Sequence, residues 1–309
     1  MTRLRSLLAG CALAAALVGC AGMPPAADGA RLDSTPRIAV MSAFAPEITL
    51  LSARLQQPVK HVVNGAEFTT GTLEGKPVLL FLSGISMVNA AMTTQLALDR
   101  FKVSHIVFSG IAGGVNPQLH VGDVTVPAQW GQYLEVLMAR ETAPGRFAAP
   151  PFIKDATLPN YGMLHPRPVE VRSAAQPKVA RKFWFETDPK MLEVARAIRN
   201  VELENCKAGQ CLPRKPQLVV GGNGVSGQAF MDNKAFREYT FATFQANVLD
   251  METAAVGHVA YSNGVPYIAF RSLSDLAGGG EGENEMGTFM GIAADNSAKV
   301  LLAFLAAWK

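Results

Sequence analysis

The segment 247–280 constrains the fold more than any other part of the chain, because a strand, a helix and a second strand follow one another in it without long connections. A short extended run ends at Asp250, and the helix after it ends near Asn263-Gly264, a common kind of helix C-terminus. The apolar run from Val265 to Phe270 then leads to Asp275. This order is typical of a βαβ unit, in which the two strands run parallel.

Three acidic side chains stand where such strands end. Glu252 and Asp275 follow the two strands of this segment, and Glu47 follows the apolar run Arg37–Phe44 at the start of a helix. Open α/β sheets bind ligands beyond the carboxyl ends of their strands, and a helix N-terminus stabilises an anion. Taken alone, each acid is better explained as a capping or surface charge. A functional reading therefore requires that the three converge.

Strands and helices alternate from residue 37 to residue 308, which predicts one α/β domain with a mostly parallel sheet and helices on both faces. The chain has 309 residues, of which 49% are hydrophobic, and this suffices for one large core or two small ones. We place the domain at residues 36–309. An excursion at about 132–214 interrupts it, and we expect its proline-rich part, 133–185, to have little regular structure, as lids and binding loops often do.

The N-terminus is typical of an export signal. Arg3 and Arg5 precede an apolar run that is too short to span a bilayer, and the run ends in LVGC at Cys20, which resembles a bacterial lipobox. We assign residues 1–20 to a lipoprotein-type signal that is cleaved directly before Cys20, so that this cysteine is then lipidated; the alternative is an ordinary cleaved signal. Residues 21–35 are expected to form a flexible tether. We therefore expect an exported protein that contacts the membrane only through a lipid anchor, on the periplasmic side of the outer membrane.

The rest of the composition argues against several classes of partner. The formal net charge is +3, and nothing suggests nucleic acid as a partner. The glycines at 110–114 fit neither a dinucleotide fingerprint nor a Walker loop. Cys206 and Cys211 have no neighbouring ligand at metal spacing, so we expect no metal and no cofactor. In an oxidising compartment their proximity favours a disulfide.

Several sequence blocks, in order, resemble the nucleoside phosphorylase/nucleosidase superfamily. They are RIAVMSAFAPEITLL, LLFLSGISMVNAA, FSGIAGGVNPQLHVGDVTVP, VSGQAFMDN and VLDMETAAVGHVAYSNGVPYIAFRSLSDLAGG. The chain is most similar to methylthioadenosine/S-adenosylhomocysteine nucleosidases and to plant relatives that include bark storage proteins. The resemblance implies a three-layer α/β/α sandwich around a mixed, mostly parallel sheet. It also implies a homodimer or a larger homo-oligomer.

The resemblance assigns roles to the acids and to their neighbours. Glu47 matches the acid that activates the attacking water, and Asp275 matches the acid that hydrogen-bonds the purine and assists its departure. Glu252 matches the residue at the sugar hydroxyls. The other matched positions contact the substrate: Met251 at the ribose, Ser274 beside the second acid, Phe230 and Met231 at the base, and Ser83 near the ribose and water.

These assignments imply a purine nucleosidase that hydrolyses a nucleoside such as methylthioadenosine, S-adenosylhomocysteine, adenosine or inosine. Phosphorylases of the superfamily carry an arginine where this chain has Phe108-Ser109-Gly110, and the segment 42–46 after the first strand has none either. A phosphate dianion would therefore find no fixed cation there. Water is therefore favoured as the nucleophile. Two alternatives remain open, a phosphate-dependent phosphorylase and a non-catalytic nucleoside-binding or storage lipoprotein.

Overall fold

The computed structural model describes residues 31–309. The predicted signal, Cys20 and most of the predicted tether lie outside these residues. The first strand begins at Asp33, so the last three residues assigned to the tether belong to the sheet. The Leu32 amide also donates to the Arg100 carbonyl over 2.8 Å, which ties this end of the domain to a helix terminus.

The described chain contains six helices: α1 (Ala45–Arg54), α2 (Met87–Arg100), α3 (Pro189–Ala197), α4 (Lys234–Phe244), α5 (Thr253–Asn263) and α6 (Met286–Ala307). Its strands are β1 (Asp33–Ser42), β2 (Gln56–Val63), β3 (Ala66–Leu73), β4 (Lys76–Leu82), β5 (Phe101–Gly114), β6 (Val124–Val126), β7 (Gln129–Gln132), β8 (Val136–Met138), β9 (Arg140–Ala143), β10 (Arg146–Ala148), β11 (Leu164–Pro166), β12 (Val169–Val171), β13 (Ala180–Lys182), β14 (Trp184–Glu186), β15 (Cys206–Lys207), β16 (Gln210–Cys211), β17 (Leu218–Val220), β18 (Asn223–Ser226), β19 (Ala246–Asp250) and β20 (Tyr267–Asp275).

One 12-stranded mixed sheet organises the domain, in the order β14-β7-β18-β19-β5-β1-β4-β3-β2, with β20, β6 and β17 joined beside β5. The strands β4, β1, β5 and β20 run parallel, as do β7, β18 and β19. The β2–β3–β4 meander and the β5–β19 pair are antiparallel. The predicted α/β architecture with a mixed sheet is confirmed, although parallel pairings outnumber antiparallel ones only slightly.

Helices cover both faces of the sheet, as the three-layer architecture requires. Successive side chains of a strand point to opposite faces. In β1, Ala39 and Met41 pack in the core beneath α2 and α5, whereas Ile38 and Val40 pack in the core beneath α1, α3 and α6. The 22-residue helix α6 is apolar enough to resemble a membrane span, but 61% of its most apolar window is buried in the domain.

The expected parallel pairing of the strands on either side of α5 is wrong. Both β19 and β20 pair with β5 instead, β19 antiparallel and β20 parallel. Sequence order cannot reveal that the 14-residue β5 lies between them. The two strands nevertheless meet at one place, because Leu249 and Asp275 are both in register with Gly113 of β5.

The proline-rich part of the excursion is more regular than predicted. It forms three hairpin-like pairs, β8–β11, β9–β10 and β12–β13, and β14 extends the main sheet beside β7. Strands of three or four residues with exposed side chains leave little periodic signal in a sequence. Further along, Cys206 and Cys211 are joined by a disulfide that closes the β15–β16 hairpin, which confirms that expectation.

Candidate active site

A cavity of about 170 Å³ opens where β1, β5, β19 and β20 end. Seven of the eight active-site residues proposed from the sequence line it: Glu47, Phe230, Met231, Met251, Glu252, Ser274 and Asp275. The remaining lining residues are Ala43, Phe44, Ile85, Ile111, Ala112, Gly113, Ala229, Leu249, Asp250 and Met286. The three acids therefore converge on one cavity, although 228 positions separate the first from the last.

Ser83 is the one proposed residue that does not line the cavity. Its side chain is buried and its hydroxyl donates to the Gly84 carbonyl over 2.9 Å. The same loop reaches the site through Ser86, whose backbone amide donates to Glu252 Oε1 over 2.8 Å. Ser86 adopts a φ of 82°, a backbone conformation unusual for a residue other than glycine. The loop thus contributes a backbone donor, which the identity of its side chains could not reveal.

Glu47 is held by two backbone amides. It lies in the first turn of α1 and is only 2% exposed, and its Oε2 accepts from the Ala43 amide over 2.6 Å while its Oε1 accepts from the Ile111 amide over 2.8 Å. Burial raises the pKa of this carboxyl, and the charge of Arg271 and the amide donors oppose that rise. The result is an oriented carboxyl at the cavity wall that can accept a proton.

A fully buried arginine lies behind the acids. Arg271 Nη1 is 3.7 Å from Glu47 Oε1 and its Nη2 is 3.7 Å from Glu252 Oε2. Its Nε lies 2.8 Å from Asp250 Oδ2, and the guanidinium stacks over the Phe108 ring at 4.1 Å. One cation thus serves three carboxylates, a combination that is stable in a protein interior only when the charges are closely paired.

Gly110 makes room for this arginine. A Cβ atom at this position would lie 1.8 Å from Arg271 Nη1 and 2.6 Å from Glu47 Oε1. The glycine-rich end of β5 is therefore explained by close approach of side chains rather than by a phosphate-binding turn. Neither these glycines nor Arg271 was predicted to belong to the site; an arginine within an otherwise apolar strand was the available signal, because buried arginines need partners.

Glu252 lies directly before α5, and its Oε1 accepts the Ser86 amide. Burial and the neighbouring charge of Asp250 raise the pKa of Glu252 to about 7, against the opposing effect of Arg271. A carboxyl with this pKa is about half ionised near neutral pH, so its charge responds to small changes in its surroundings.

Asp275 ends β20 and faces the cavity from the other side of the site. Its Oδ1 accepts the Ala277 amide over 2.8 Å and its Oδ2 accepts the Ser274 hydroxyl over 2.8 Å. Burial raises the pKa of Asp275. No arginine contact offsets that rise among the described residues, in contrast to Glu47, whose pKa is held down in part by Arg271. Both carboxyls therefore have a pKa above the ordinary value, and of the two Glu47 has the guanidinium of Arg271 beside it.

The two acids reach the cavity at neighbouring positions of β5. Glu47 accepts a hydrogen bond from the Ile111 amide, and Asp275 is in register with Gly113, two residues or about 6.6 Å further along the strand. Apolar side chains, among them Phe44, Met251 and Met286, form most of the remaining wall. The site suits a flat, partly apolar ligand with polar groups at both ends.

Comparisons with known proteins agree with this geometry. The phosphorylase superfamily profile matches residues 37–306. A 5'-methylthioadenosine/S-adenosylhomocysteine nucleosidase of Bacillus licheniformis is 30% identical over 87% of this chain and 98% of its own, and one of Lysinibacillus sphaericus is 31% identical over 87% and 99%. The structure of the nucleosidase from S. pneumoniae with a transition-state inhibitor superposes with a TM-score of 0.63 at 25% identity, covering 88% of this chain and all of that one.

Proposed function

Because the chain belongs to the phosphorylase superfamily, we propose that it hydrolyses the N-glycosidic bond of purine nucleosides, releasing free base and free sugar. The observation that carries this proposal is the convergence of Glu47, Glu252 and Asp275 on one cavity. The names of the relatives favour 5'-methylthioadenosine and S-adenosylhomocysteine as substrates.

The reaction follows from the placement of the acids. The bond between the sugar C1' and the base nitrogen breaks, and its electron pair leaves with the base, which takes a proton from Asp275. The sugar carbon becomes cation-like, and Glu252 binds the sugar hydroxyls and opposes that charge. A water molecule attacks C1' and gives a proton to Glu47. Proton transfer to the leaving group contributes roughly 10²–10⁴-fold to such a reaction.

Water is favoured over phosphate by the charges around the cavity. Arg271, the cation beside these acids, is already engaged with Asp250 at 2.8 Å and is flanked by Glu47 and Glu252. An incoming phosphate dianion would meet carboxylates before it met a free guanidinium, and such repulsion disfavours binding. A neutral water molecule meets no such barrier.

The test is a panel of nucleosides incubated with protein lacking residues 1–20, with and without phosphate. The panel comprises methylthioadenosine, S-adenosylhomocysteine, adenosine and inosine. Hydrolysis predicts equal amounts of free base and free sugar at rates independent of phosphate. Phosphate-dependent release with sugar 1-phosphate as product would establish a phosphorylase, and tight binding without release would establish a storage or binding protein.

The apolar surface beside the mouth supports a homodimer. Ile85 lies in the loop before α2, Val88 and Met92 lie in its first turns, and the three side chains are 49%, 56% and 65% exposed. Ile85 also lines the cavity, so a second copy packed here would close its mouth. The mass in solution tests this: Met92→Glu is expected to give monomers from a wild-type dimer, whereas a monomeric wild type would refute the proposal.

The N-terminal pattern supports an exported lipoprotein, anchored through Cys20 in the cell envelope. A nucleosidase in that place would act on nucleosides outside the inner membrane. Expression of the full chain in a bacterium tests the anchor. Wild type is expected in the membrane fraction and Cys20→Ser in the soluble fraction, and equal distribution of the two would refute lipidation.

A further inference from the structure

The close hydrogen bonds of Arg271 are not made with the two acids on which the proposed reaction depends. Its Nε and Nη2 donate to Thr253 Oγ1 over 3.1 Å and 2.8 Å, and its Nε also lies 2.8 Å from Asp250 Oδ2. Glu47 and Glu252 are both at 3.7 Å, beyond hydrogen-bond distance. A longer bond of 3.4 Å runs from Nη1 to the Ile111 carbonyl. The shorter contacts that orient the guanidinium are therefore those with Asp250 and Thr253.

The hydroxyl of Thr253 is itself fixed. Thr253 is the first residue of α5 and is fully buried. Its backbone amide donates to Asp250 Oδ1 over 3.1 Å, and its hydroxyl donates to Asp250 Oδ2. A hydroxyl has one proton to donate and two lone pairs that accept. With the proton directed at Asp250, both lone pairs are available to Arg271, and both are used.

We propose that Thr253 is a positioning residue whose hydroxyl holds the Arg271 guanidinium midway between Glu47 and Glu252, so that one cation serves the water-activating acid and the sugar-binding acid together. This inference rests on the proposed hydrolysis for its effect on turnover. It assigns to Thr253 no contact with substrate, since Thr253 is absent from the cavity wall.

The charges that face this arginine determine what its displacement would do. They are Glu47 from α1, Asp250 from β19 and Glu252 before α5. The Tyr133 hydroxyl is also close, since the charge of Asp250 helps to raise the pKa of Tyr133. Arg271 lowers the pKa of both Glu47 and Glu252. If the guanidinium loses its anchor and moves away, both pKa values rise, and a smaller fraction of each carboxyl is ionised at neutral pH.

The test compares Thr253→Val, which removes the hydroxyl but keeps the shape, with Thr253→Ser, which keeps the hydroxyl. Because hydrogen bonds to charged groups are among the stronger ones, we expect Thr253→Val to lower kcat/KM by about tenfold at neutral pH. Its acid limb in the pH profile of kcat/KM is expected to move upward by about half to one pH unit. Thr253→Ser should keep the wild-type profile. Thr240→Val, a buried threonine on α4, controls for the loss of any buried hydroxyl and should leave the acid limb in place.

A second readout does not depend on turnover. A buried glutamate with a raised pKa makes the protein less stable as pH rises through that pKa. The melting temperature of Thr253→Val should therefore fall more between pH 6 and pH 8 than that of the wild type or of Thr253→Ser. The additional loss of stability should correspond to the pKa shift of about half to one unit expected from the pH profile. Equal pH dependence of all three proteins, or an equal effect of valine and serine, would overturn the inference. An inactive wild type would instead refute the proposed function, and the melting curves would still decide the role of Thr253.

Discussion

The substitution Gly110→Ala tests whether the buried charge cluster sustains the site. The new Cβ atom would lie 1.8 Å from Arg271 Nη1, 2.9 Å from its Cζ and 2.6 Å from Glu47 Oε1. Neither side chain has room to yield, since Arg271 is fully buried and Glu47 is 2% exposed. The guanidinium must leave its present place between Glu47 and Glu252.

The cost can be estimated from general magnitudes. Overpacking a close-packed interior costs about 1–3 kcal/mol, and separating buried charges that were paired costs about 3–5 kcal/mol when the separation is complete. With partial displacement we expect a total of about 3 kcal/mol, which corresponds to a fall in melting temperature of roughly 6–12 °C. If the displacement destabilises the transition state by the same free energy, kcat/KM falls by about 10²-fold.

The assay is base release from methylthioadenosine together with thermal unfolding of the same preparations. The matched control is Gly291→Ala, because a Cβ at this helical position would meet Lys207 only at ordinary contact distances of 3.5 Å and above. That control is expected to be neutral or slightly stabilising. Wild-type turnover and melting temperature in Gly110→Ala would refute the account of Arg271 as a tightly held cation.

Three further predictions follow from the site and from the disulfide. Asp275→Asn should lower turnover by roughly 10²–10⁴-fold and keep nucleoside binding, because the amide cannot deliver a proton. The control is Asp99→Asn, which changes an exposed acid, and unchanged turnover in Asp275→Asn would contradict the role of Asp275 as the proton donor. Since the pKa of Glu252 is raised to about 7 by burial and by Asp250, kcat/KM should fall as pH decreases through 7, and Glu252→Gln should flatten that limb; a pH-independent wild type would contradict this. Replacing both Cys206 and Cys211 by Ser should lower the free energy of unfolding by about 2 kcal/mol, the chain-entropy value for so short a loop, without changing kcat; a large loss of kcat would show that the hairpin supports the site.

The positions of the acids were predictable because each is marked by its local sequence. Glu47 begins a helix after an apolar strand, and Asp275 ends a run of apolar residues, so each was expected at the rim of the sheet. The ends of β19 and β20 still meet, because Leu249 and Asp275 are both in register with Gly113 of the long strand β5. Convergence therefore survived an error in the predicted topology.

The topology itself was not predictable from order along the chain. The pairing of β19 and β20 with β5 depends on contacts between segments more than a hundred residues apart, which no local pattern encodes. The position of Ser83 away from the cavity wall was not predictable for a related reason. Its hydroxyl is satisfied by the neighbouring Gly84 carbonyl, and the loop reaches Glu252 through the Ser86 amide, a donor that every residue except proline carries.

The part of the site that sequence reasoning missed is its buried support. Neither Arg271 nor Thr253 was predicted to belong to the site, and neither side chain lines the cavity. Their importance appears only when distances show that one guanidinium is shared by three carboxylates and anchored by one hydroxyl. Such networks combine strand, helix and loop residues, so their partners can be identified only after the chain has folded.

Base release in phosphate-free buffer by protein lacking residues 1–20, measured side by side with its Glu47→Gln variant, decides whether Glu47 activates a water molecule for hydrolysis. We expect the wild type to release free base and free sugar in equal amounts from methylthioadenosine, added phosphate to change nothing, and the variant to release almost none. Release that requires phosphate, or equal release by both proteins, would contradict hydrolysis by a water molecule activated at Glu47.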